Sequence, residues 1–295
     1  FRLVRLIRRL RPGVVQSWMY HADLVALAAL LLSGRRGRTA LFWGVRCSDM
    51  DLSAHGRVFA AVVRLAARLS GMPDGVVANS ERGRQVHEAL GYRPKVWHVV
   101  DNGIDVERFR PDPETRRRVR AELGIAEEAP LAIAVARVDP MKDYPTLAAA
   151  LADVPELTCL VAGLGTEHLA GPTNMRRLGE RQDIEQLLAA ADLMVSSSAY
   201  GEGFSNAIAE AMATGLAVVA TDVGDNARLV GDAGTIVPPR DATALAAALA
   251  AFARDRQALA AAGKVARARI ADNFTVGHLV RRFDALHDAA AAEKA

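Results

Sequence analysis

Short apolar runs alternate with helical patterns along the whole chain, which predicts parallel β-sheets covered by helices. In the first part of the chain, strands are predicted over 14–18, 40–45, 75–78 and 95–100. In the second part, strands are predicted over 131–136, 158–162, 175–180, 193–196, 216–221 and 234–237. Because predicted strands alternate with predicted helices, we expect an α/β protein with two doubly wound domains.

The segment Arg110-Pro-Asp-Pro113 separates the two patterns and predicts a hinge. We expect a partial N-terminal domain over 1–110, a C-terminal domain over 111–280, and a helix end and tail over 281–295. The Ala-rich tail is expected to fray after about Asp288. Four strands before the hinge are few for a complete domain of this kind, and the chain opens at Phe1 rather than at a methionine. These two facts predict that the chain is truncated at its N-terminus.

The segment 198–215 carries the clearest chemical pattern. A loop of small residues leads to a predicted helix over 207–214. The N-terminus of such a helix offers free N–H groups and a positive dipole end, which suit a phosphate. Glu202 and Glu210 lie beside it, and carboxylates accept hydrogen bonds from sugar hydroxyls. The segment therefore predicts a site for a sugar joined to a phosphate, as in a sugar nucleotide.

Arg137 and Lys142 lie on one short loop after the first strand of the second part. An arginine fork and a lysine point charge together suit a diphosphate. The alternative interpretation is that Arg137 and Lys142 are ordinary solvated surface residues. The same alternative applies to Glu202 and Glu210. Glu210 falls within an otherwise apolar helix, where an unpaired carboxylate is costly. A buried partner or a bound hydroxyl is therefore expected beside Glu210.

Polar loops also follow the first two predicted strands. His21 and Asp23 come after the first strand, and Arg46 opens the loop 46–51 after the second. Because α/β folds bind ligands at the carboxyl ends of their strands, these residues are candidates for another part of the site. A lone histidine is more often structural, and both interpretations stay open.

Composition is typical of an α/β enzyme, since 51% of the 295 residues are hydrophobic and 5% are aromatic. Cys47 and Cys159 match no metal or redox spacing, and we interpret them as buried reduced thiols of a cytoplasmic protein. No spacing of His or Asp residues predicts a metal site. The apolar run 24–32 is too short to span a bilayer.

The net charge of +3 hides an asymmetry, because residues 1–120 carry a net +11 and the remainder a net −8. A basic first part favours a polyanionic partner or peripheral docking on the inner face of an anionic membrane. The arginine-rich composition of a GC-rich genome explains it equally well, and no nucleic-acid partner is predicted. The pattern of residues 1–11 predicts a basic amphipathic helix. We expect this helix to pack on the sheet, and the alternative is that it lies on a membrane.

Several segments occur in the order and spacing of a known family. They are Val76-Val-Ala-Asn-Ser80, Asn102-Gly-Ile-Asp105 with Phe109 and Pro111, Arg137 with Lys142, Gly163-Leu-Gly165, and Glu202-Gly-Phe followed by Glu210-Ala-Met-Ala-Thr-Gly and Val218-Val-Ala-Thr. From about Val14 to Ala285 the chain resembles the retaining glycosyltransferases of family four, also called glycosyl transferases group 1. Two glutamates separated by seven residues are the signature of that family.

The resemblance implies the GT-B fold, in which two doubly wound, Rossmann-like domains face each other across a cleft. The N-terminal domain is expected to be incomplete, because the family's first strand and Gly-rich acceptor loop lie upstream of the position matched by Phe1. Leu216-Ala217 replaces the usual Val/Ile-Pro, which removes a rigid turn residue but no chemistry.

The resemblance also implies roles for the matching residues. Arg137 and Lys142 neutralise the donor diphosphate and the departing nucleoside diphosphate, while Glu202 contacts the donor sugar, so these three are the candidate catalytic residues. Glu210 holds the ribose hydroxyls. The other candidate donor-binding residues are Gly165, Arg181, Gly203, Phe204, Ser205, Asn206 and Ala207. The candidate acceptor-side residues are His21, Asp23 and Arg46.

The implied activity is transfer of a hexose from a UDP- or GDP-linked donor to a lipid-linked or polysaccharide acceptor, with retention of anomeric configuration. No metal or other cofactor is implied, because the nucleotide sugar is a co-substrate. Two alternatives stay open. One is a GT-B epimerase that acts on a nucleotide sugar without an acceptor, and the other is a nucleotide-sugar-binding module or fragment that transfers nothing.

Overall fold

The computed structural model describes residues 1–48 and 56–294. The chain divides into two compact units. The first unit combines Phe1–Asp101 with Gly277–Ala295, and the second is the continuous segment Asn102–Val276. Each unit contains one parallel sheet, so the predicted α/β class with two parallel sheets is confirmed.

Helices and strands alternate over most of the described chain, except that β7 follows β6 without an α-helix between them and three helices follow one another at the end. The first part of the chain forms α1 (Arg2–Leu10), β1 (Val14–Gln16), α2 (Tyr20–Ser33), β2 (Ala40–Val45), α3 (Arg57–Leu69), β3 (Gly75–Ala78), α4 (Glu81–Ala89) and β4 (Trp97–Val99). The second part forms α5 (Pro113–Glu122), β5 (Leu131–Val135), α6 (Tyr144–Ala152), β6 (Thr158–Ala162), β7 (Met175–Gly179), α7 (Ile184–Ala190), β8 (Leu193–Ser196), α8 (Asn206–Ala213), β9 (Ala217–Thr221), α9 (Asn226–Val230), β10 (Gly234–Val237), α10 (Ala242–Arg254), α11 (Arg256–Asn273) and α12 (Val276–Lys294).

The sheet of the first unit has the strand order β1-β2-β3-β4. Each strand pairs with the strand that precedes it in the chain, always on the same side. Because the connections between parallel strands are right-handed, the connecting helices then all lie on one face of the sheet. As a result, α2, α3 and α4 share one face, where Leu30 and Val63 of the helices pack against Trp43 and Val76 of the strands. The opposite face needs another cover.

That cover is α12, the last helix of the chain. Its apolar residues recur at helical spacing and pack on Phe42 and its neighbours in the sheet; they are Leu279, Phe283, Leu286 and Ala290. At the end of the helix, Lys294 Nζ pairs with Asp74 Oδ1 at 3.0 Å. The expected fraying after Asp288 is therefore wrong, because Ala290 is buried on the sheet and Lys294 holds the last turn.

The basic helix α1 packs on α2 through its buried residue Ile7, so it lies on a helix that covers the sheet. Arg8 Nη2 donates a hydrogen bond to Leu32 O at 2.7 Å. Leu6 and Leu10 remain exposed, and contact of this face with a membrane stays a prediction. Throughout 1–48 and 56–294, we find no helix that combines the length and the apolar character needed to cross a bilayer.

The sheet of the second unit has the strand order β10-β9-β8-β5-β6-β7. The chain adds β6 and β7 on one side of β5 and β8 to β10 on the other, so apolar cores form on both faces of the sheet. At such a reversal the loops after neighbouring strands diverge and open a crevice at the carboxyl edge. Cys159 of β6 is buried as predicted, whereas Cys47 is only partly buried, and the two cysteines form no disulfide.

Replacing Phe283 by alanine tests the packing of α12, because its ring lies 5.6 Å from the ring of Trp18 between centroids. We expect the free energy of unfolding of the first unit to fall by about 2 to 3 kcal/mol, less than for a fully buried phenylalanine. Trp18, Trp43 and Trp97, the three tryptophans of the chain, all lie in the first unit, so their fluorescence during denaturant unfolding follows that unit.

Val280→Ala is the matched control, because Val280 lies on the same helix and is 48% exposed. It should change the free energy of unfolding by less than about 0.5 kcal/mol. Equal losses from F283A and V280A would contradict the packing described.

Candidate functional site

Four loops lie side by side at the carboxyl edge of the second sheet, because β8, β5, β6 and β7 are neighbours in that order. They are the loops that begin after Ser196, Val135, Ala162 and Gly179. Each of them carries residues that the sequence singled out. The strand order therefore brings together residues that are far apart along the chain.

The loops after β5 and β8 meet in an ion pair between Lys142 Nζ and Glu202 Oε1. Ser198 Oγ donates a hydrogen bond to the same carboxylate oxygen at 2.6 Å. Glu202 is only 7% exposed, so this is a buried carboxylate that is satisfied by one cation and one hydroxyl. The structure thus brings together two of the three residues predicted to be catalytic.

The backbones of these two loops are joined as well. Ala199 N–H donates to Met141 O at 2.8 Å, and Ser197 Oγ donates to Lys142 O at 2.8 Å. Lys142 ends a short 3₁₀ turn that is capped by the side chain of Asp139. Lys142 is therefore held in place by its surroundings, and the alternative of a solvated surface lysine does not apply to it.

Gly224, in the loop after β9, lies directly against the backbone of Glu202. A Cβ atom on Gly224 would lie 2.1 Å from Glu202 O, and the φ angle of Gly224 is 64°. Glycine alone combines this close approach with a left-handed backbone. Thr221 Oγ1 also donates to Ser198 O at 2.6 Å. The loop after β8 is thus held from the β5 side and from the β9 side.

The helix α8 begins at the end of this loop, with Ser205 in the N-cap position. Ser205 is buried, but its side chain makes no capping hydrogen bond to the first turn. Together with the helix dipole, the N–H groups of that first turn form a place for an anion. A cavity of about 30 Å³ lies here, lined by Lys142, Glu202, Ser205 and Ala207 among others.

Phe204 has a role that the sequence did not predict. Its ring is 6% exposed and lies 5.5 Å from the ring of Phe274 between centroids, within the core of the second unit. The side chain of Phe204 therefore anchors the loop, and only its backbone can serve a ligand. Gly203 and Asn206, the other predicted residues beside it, are at least partly exposed.

Two predicted cations are paired locally. The side chain of Arg137 is 63% exposed, and its Nη2 lies 3.1 Å from Asp139 Oδ2. Arg181, in the loop after β7, binds Asp183 with two hydrogen bonds, at 2.8 Å and 2.6 Å. Both arginines lie at the carboxyl edge of the sheet, but neither takes part in the buried Lys142–Glu202 pair.

The loop after β6 packs closely on the loop after β5. A Cβ atom on Gly163 would lie 2.0 Å from Ala136 O, and Val138 N–H donates to Leu164 O at 2.8 Å. Gly165 is partly buried and has a φ angle of 84°, which favours glycine. Gly163 and Gly165 therefore shape this part of the edge through their backbones.

Glu210 lies in the second turn of α8 and is partly buried. Burial raises the pKa of Glu210 to about 7, the charge of Arg108 acts to lower it, and the carboxylate of Glu185 acts to raise it. Arg108 Nη2 itself pairs with Glu185 Oε2 at 3.0 Å. Arg108 and Glu185 thus act on Glu210 through their charges, and the expectation of a buried partner or a bound hydroxyl beside Glu210 stays a prediction.

No sequence pattern identified Arg108 or Glu185, and none assigned a role to the side chain of Asn102. Asn102 Nδ2 donates to Asn206 Oδ1 at 2.8 Å, which ties the Asn102-Gly-Ile-Asp105 segment to the start of α8. The match of that segment to the family was the available signal for Asn102. No local pattern marks Glu185, because its partners come from distant parts of the chain.

In the first unit, the three predicted acceptor-side residues have different surroundings. Asp23 is fully buried; Ser17 Oγ donates to its Oδ1 at 2.6 Å, and burial raises its pKa to about 7. His21 is exposed, and the guanidinium carbon of Arg46 lies 4.3 Å from the ring centroid of Trp18. The structure therefore places His21 and Arg46 at the surface but Asp23 in the core.

Residues 49–51 of the predicted polar loop lie outside the described residues. Within the part of the chain that the structure describes, no three His, Cys, Asp or Glu side chains form a cluster that could hold a metal ion.

Two family models match the chain. Residues 1–108 match the model of glycosyltransferase family 4, and residues 129–255 match the model of glycosyl transferases group 1. The second match contains the loops after β5, β6, β7 and β8, including the Lys142–Glu202 pair and Glu210.

Several curated proteins are similar in sequence. The lipopolysaccharide core biosynthesis mannosyltransferase LpsB of Rhizobium meliloti is 32% identical over 237 residues, which cover 73% of this chain and 65% of that protein. A D-inositol 3-phosphate glycosyltransferase of Geodermatophilus obscurus is 32% identical over 251 residues, covering 75% and 55%. The phosphatidyl-myo-inositol mannosyltransferase of Mycolicibacterium smegmatis is 36% identical over 186 residues, covering 57% and 45%. The aligned part thus spans between 45% and 65% of these relatives.

Solved structures share the fold. HepE of Anabaena in complex with UDP superimposes with a TM-score of 0.85 at 24% identity, covering 98% of this chain and 81% of that one. WaaG, a glycosyltransferase involved in lipopolysaccharide biosynthesis, gives a TM-score of 0.69 at 17% identity, covering 96% and 94%. The predicted GT-B fold is confirmed by these structures. Both parts of the chain thus match glycosyltransferase family models, one over 1–108 and the other over 129–255, and the chain shares the fold of these solved structures.

Proposed function

We propose that this protein is a retaining glycosyltransferase that moves a hexose from a nucleotide-sugar donor to a glycan or lipid-linked acceptor. The observation that carries the proposal is the Lys142–Glu202 ion pair at the start of α8. A cation, a buried carboxylate and a helix N-terminus in one place suit a sugar attached to a diphosphate. The relatives support this activity, since those named above are glycosyltransferases.

In this proposal the donor diphosphate lies against the first turn of α8 and beside Lys142. Negative charge develops on the departing nucleoside diphosphate as the bond between the sugar and the phosphate breaks. Lys142, Arg137 and the N–H groups of Ser205, Asn206 and Ala207 stabilise this charge. Because Lys142 is already held by its loop, little reorganisation is needed during the reaction. We propose that these groups supply the positive charge without a resident metal or cofactor.

The two glutamates have separate roles in the proposal. Glu202 accepts hydrogen bonds from the hydroxyls of the donor sugar, and Glu210 accepts them from the ribose. Gly165 lets the backbone approach the nucleotide, and Arg181 faces the base. The solved HepE structures contain UDP and UDP-glucose, so UDP-sugars are the first donors to test, followed by GDP-sugars.

Retention requires that the acceptor attacks the face of the sugar from which the diphosphate leaves. The bond from the anomeric carbon to the phosphate oxygen breaks, and the bond to the acceptor oxygen forms on the same face. An oxygen of the departing phosphate takes the proton of the acceptor hydroxyl. Glu202 is already engaged by Lys142 and Ser198, which favours a contact role over nucleophilic attack.

For the acceptor, we propose that His21 and Arg46 orient the attacking hydroxyl, because both are exposed at the carboxyl edge of the first sheet. Asp23 is buried and supports this edge from within through Ser17. H21A and R46A should raise the acceptor KM and leave the donor KM unchanged. Unchanged acceptor KM and turnover in both variants would rule this role out.

The activity is tested by supplying UDP- and GDP-sugars with and without glycan acceptors and identifying the products. A thermal-shift screen selects the donor first, since a ligand at a hundred times its Kd stabilises the protein by about 2.7 kcal/mol. Acceptor-dependent release of nucleoside diphosphate, with a retained anomer by NMR, is the expected result. An epimerised sugar as product would contradict the transferase proposal and favour the epimerase. Binding without turnover, in a chain as long as the full-length relatives, would favour a binding module.

Lys142→Ala and Glu202→Ala should each reduce transfer at least about 100-fold, because each removes a group that acts on the developing charge or the reacting sugar. Steady-state rates of nucleoside diphosphate release measure this loss, and circular dichroism checks that the fold is retained. Lys264→Ala is the matched control, since Lys264 is an exposed lysine on α11. A K142A variant as active as K264A would contradict the proposal.

Gly224→Ala should weaken donor binding at least about tenfold, because the new Cβ pushes the Glu202 backbone away from Lys142. Gly124→Ala is the matched control: its φ angle is also 64°, but nothing lies within 4 Å of the added Cβ. Both variants carry the backbone strain, and only G224A carries the clash. Calorimetric titration with the selected nucleotide sugar separates the two effects, and equal affinities of G224A and G124A would show that the close contact has no part in donor binding.

A further inference from the structure

Two asparagine side chains meet at the start of α8, although they are 104 positions apart in the chain. Asn102 Nδ2 donates a hydrogen bond to Asn206 Oδ1 at 2.8 Å, and both residues belong to the second unit. Asn206 is exposed and is the first residue of α8, directly after Ser205, whose side chain caps none of the N–H groups of the first turn. The contact therefore lies at the place proposed for the donor diphosphate.

The direction of this hydrogen bond decides which end of the Asn206 amide is occupied. An asparagine amide has an oxygen that accepts and a nitrogen that carries two N–H donors. Because the oxygen of Asn206 receives the hydrogen bond from Asn102, its nitrogen is the end left for another partner. Among residues 1–48 and 56–294, no acceptor binds that nitrogen. Asn206 thus adds side-chain donors to the backbone donors of the first turn.

The nitrogen end of an amide suits a phosphate, whereas the oxygen end does not. The phosphate oxygens of a nucleoside diphosphate are charged acceptors, and hydrogen bonds to charged groups are about twice as strong as neutral ones. The opposite orientation of the amide would place a carbonyl oxygen against these oxygens and repel them. The orientation of Asn206 therefore decides whether its side chain attracts or repels a diphosphate.

The segment that carries Asn102 is anchored in the core of the second unit. Ile104 N–H donates to Phe274 O at 2.8 Å, and Val276 N–H donates to Ile104 O at 3.1 Å. The side chain of Ile104 is buried in the same core as Phe274. Asn102 is thus only two residues away from a fixed point of the backbone.

Arg267 of α11 fastens the same segment to the other end of α8. Its guanidinium donates to Phe109 O at 2.8 Å, to Val106 O at 3.0 Å and also to the carbonyl oxygen of Ala213, the last residue of α8. The segment 102–109 is therefore joined to α8 at both ends of the helix. Because the segment and the helix are held together in this way, Asn102 can keep the amide of Asn206 in one orientation.

We propose that the side chain of Asn206 binds the diphosphate, and that Asn102 is a positioning residue that turns the N–H donors of Asn206 toward it. The inference rests on the proposed function, because it takes the diphosphate to lie at the first turn of α8. It adds to that function a side-chain contact and the residue that sets the direction of this contact. Since UDP and GDP share the diphosphate, the effect should be the same for both nucleotides.

The test is calorimetric titration of the full chain with UDP and with GDP. Asn206→Ala removes the amide and should weaken nucleotide binding about tenfold, the loss expected for one hydrogen bond to a charged group. Asn102→Asp replaces the donor by an acceptor, so that the new carboxylate binds Asn206 Nδ2 and turns Asn206 Oδ1 toward the phosphates. N102D should therefore weaken binding by more than about tenfold. Circular dichroism checks that each variant keeps the fold.

The negative charge of N102D also repels the phosphates directly, and the double variant N102D/N206A separates the two effects. It keeps the charge but has no amide to turn, so the four proteins form a double-mutant cycle. We expect N102D to weaken binding at least about tenfold when Asn206 is present and less than about threefold when it is alanine. If Asn102 only joined two segments, or acted only through charge, the two factors would be equal, because aspartate still accepts a hydrogen bond from Asn206.

Asn273→Asp is the matched control, because Asn273 is an exposed asparagine at the end of α11 whose Nδ2 donates to Arg269 O of its own helix. N273D should bind UDP and GDP as tightly as the wild type does, and a loss equal to that of N102D would contradict a local effect at α8.

The variant K142A distinguishes a failure of this inference from a failure of the proposed function. If K142A weakens nucleotide binding while N102D acts equally in the presence and absence of Asn206, the diphosphate site stands and the inference is wrong. If the wild type binds neither UDP nor GDP, or if K142A binds them as tightly as the wild type, the proposed function fails and the inference fails with it.

Discussion

The ion pair between Lys142 and Glu202 is the interaction on which the rest of the site depends. Glu202 is buried, and a buried carboxylate without a partner is costly, so the lysine and the Ser198 hydroxyl are needed to keep it there. Removing one member of a buried pair typically costs about 3 to 5 kcal/mol, because the other charge is left uncompensated. The backbone bonds between the two loops and the close contact at Gly224 hold the pair in one geometry.

The order of the strands explains why this pair can exist at all. Lys142 follows β5 and Glu202 follows β8, and these strands are neighbours only because the second sheet reverses its order beside β5. The Gly163-Leu-Gly165 loop and the Arg181 loop lie at the same edge because β5, β6 and β7 are parallel neighbours. The proposed donor half of the site is therefore a consequence of the doubly wound topology, and α8 supplies a helix N-terminus where the loops meet.

Much of this could be predicted from the sequence, because it depends on local patterns. Apolar runs of four to six residues marked the strands, and the two glutamates marked the loop and helix that follow β8. What the sequence did not predict depends on contacts between distant segments. The covering of the first sheet by α12, the burial of Asp23, the core position of the Phe204 ring and the grouping of Arg108 with Glu185 all have this origin. The sequence predicted a helix end near residue 281, but it did not show which surface that helix would meet.

The most direct measurement of the central claim is the affinity for UDP of K142A, E202Q and the double variant K142A/E202Q. UDP has no sugar, so it reports on the diphosphate subsite without the contact proposed for Glu202. K142A should weaken UDP binding at least about tenfold, because it removes a cation and leaves a buried carboxylate beside the phosphates. Adding E202Q to K142A removes that carboxylate and should recover part of the lost affinity. A double variant that binds UDP no more tightly than K142A would contradict the account, because the two side chains would then not act on one diphosphate site.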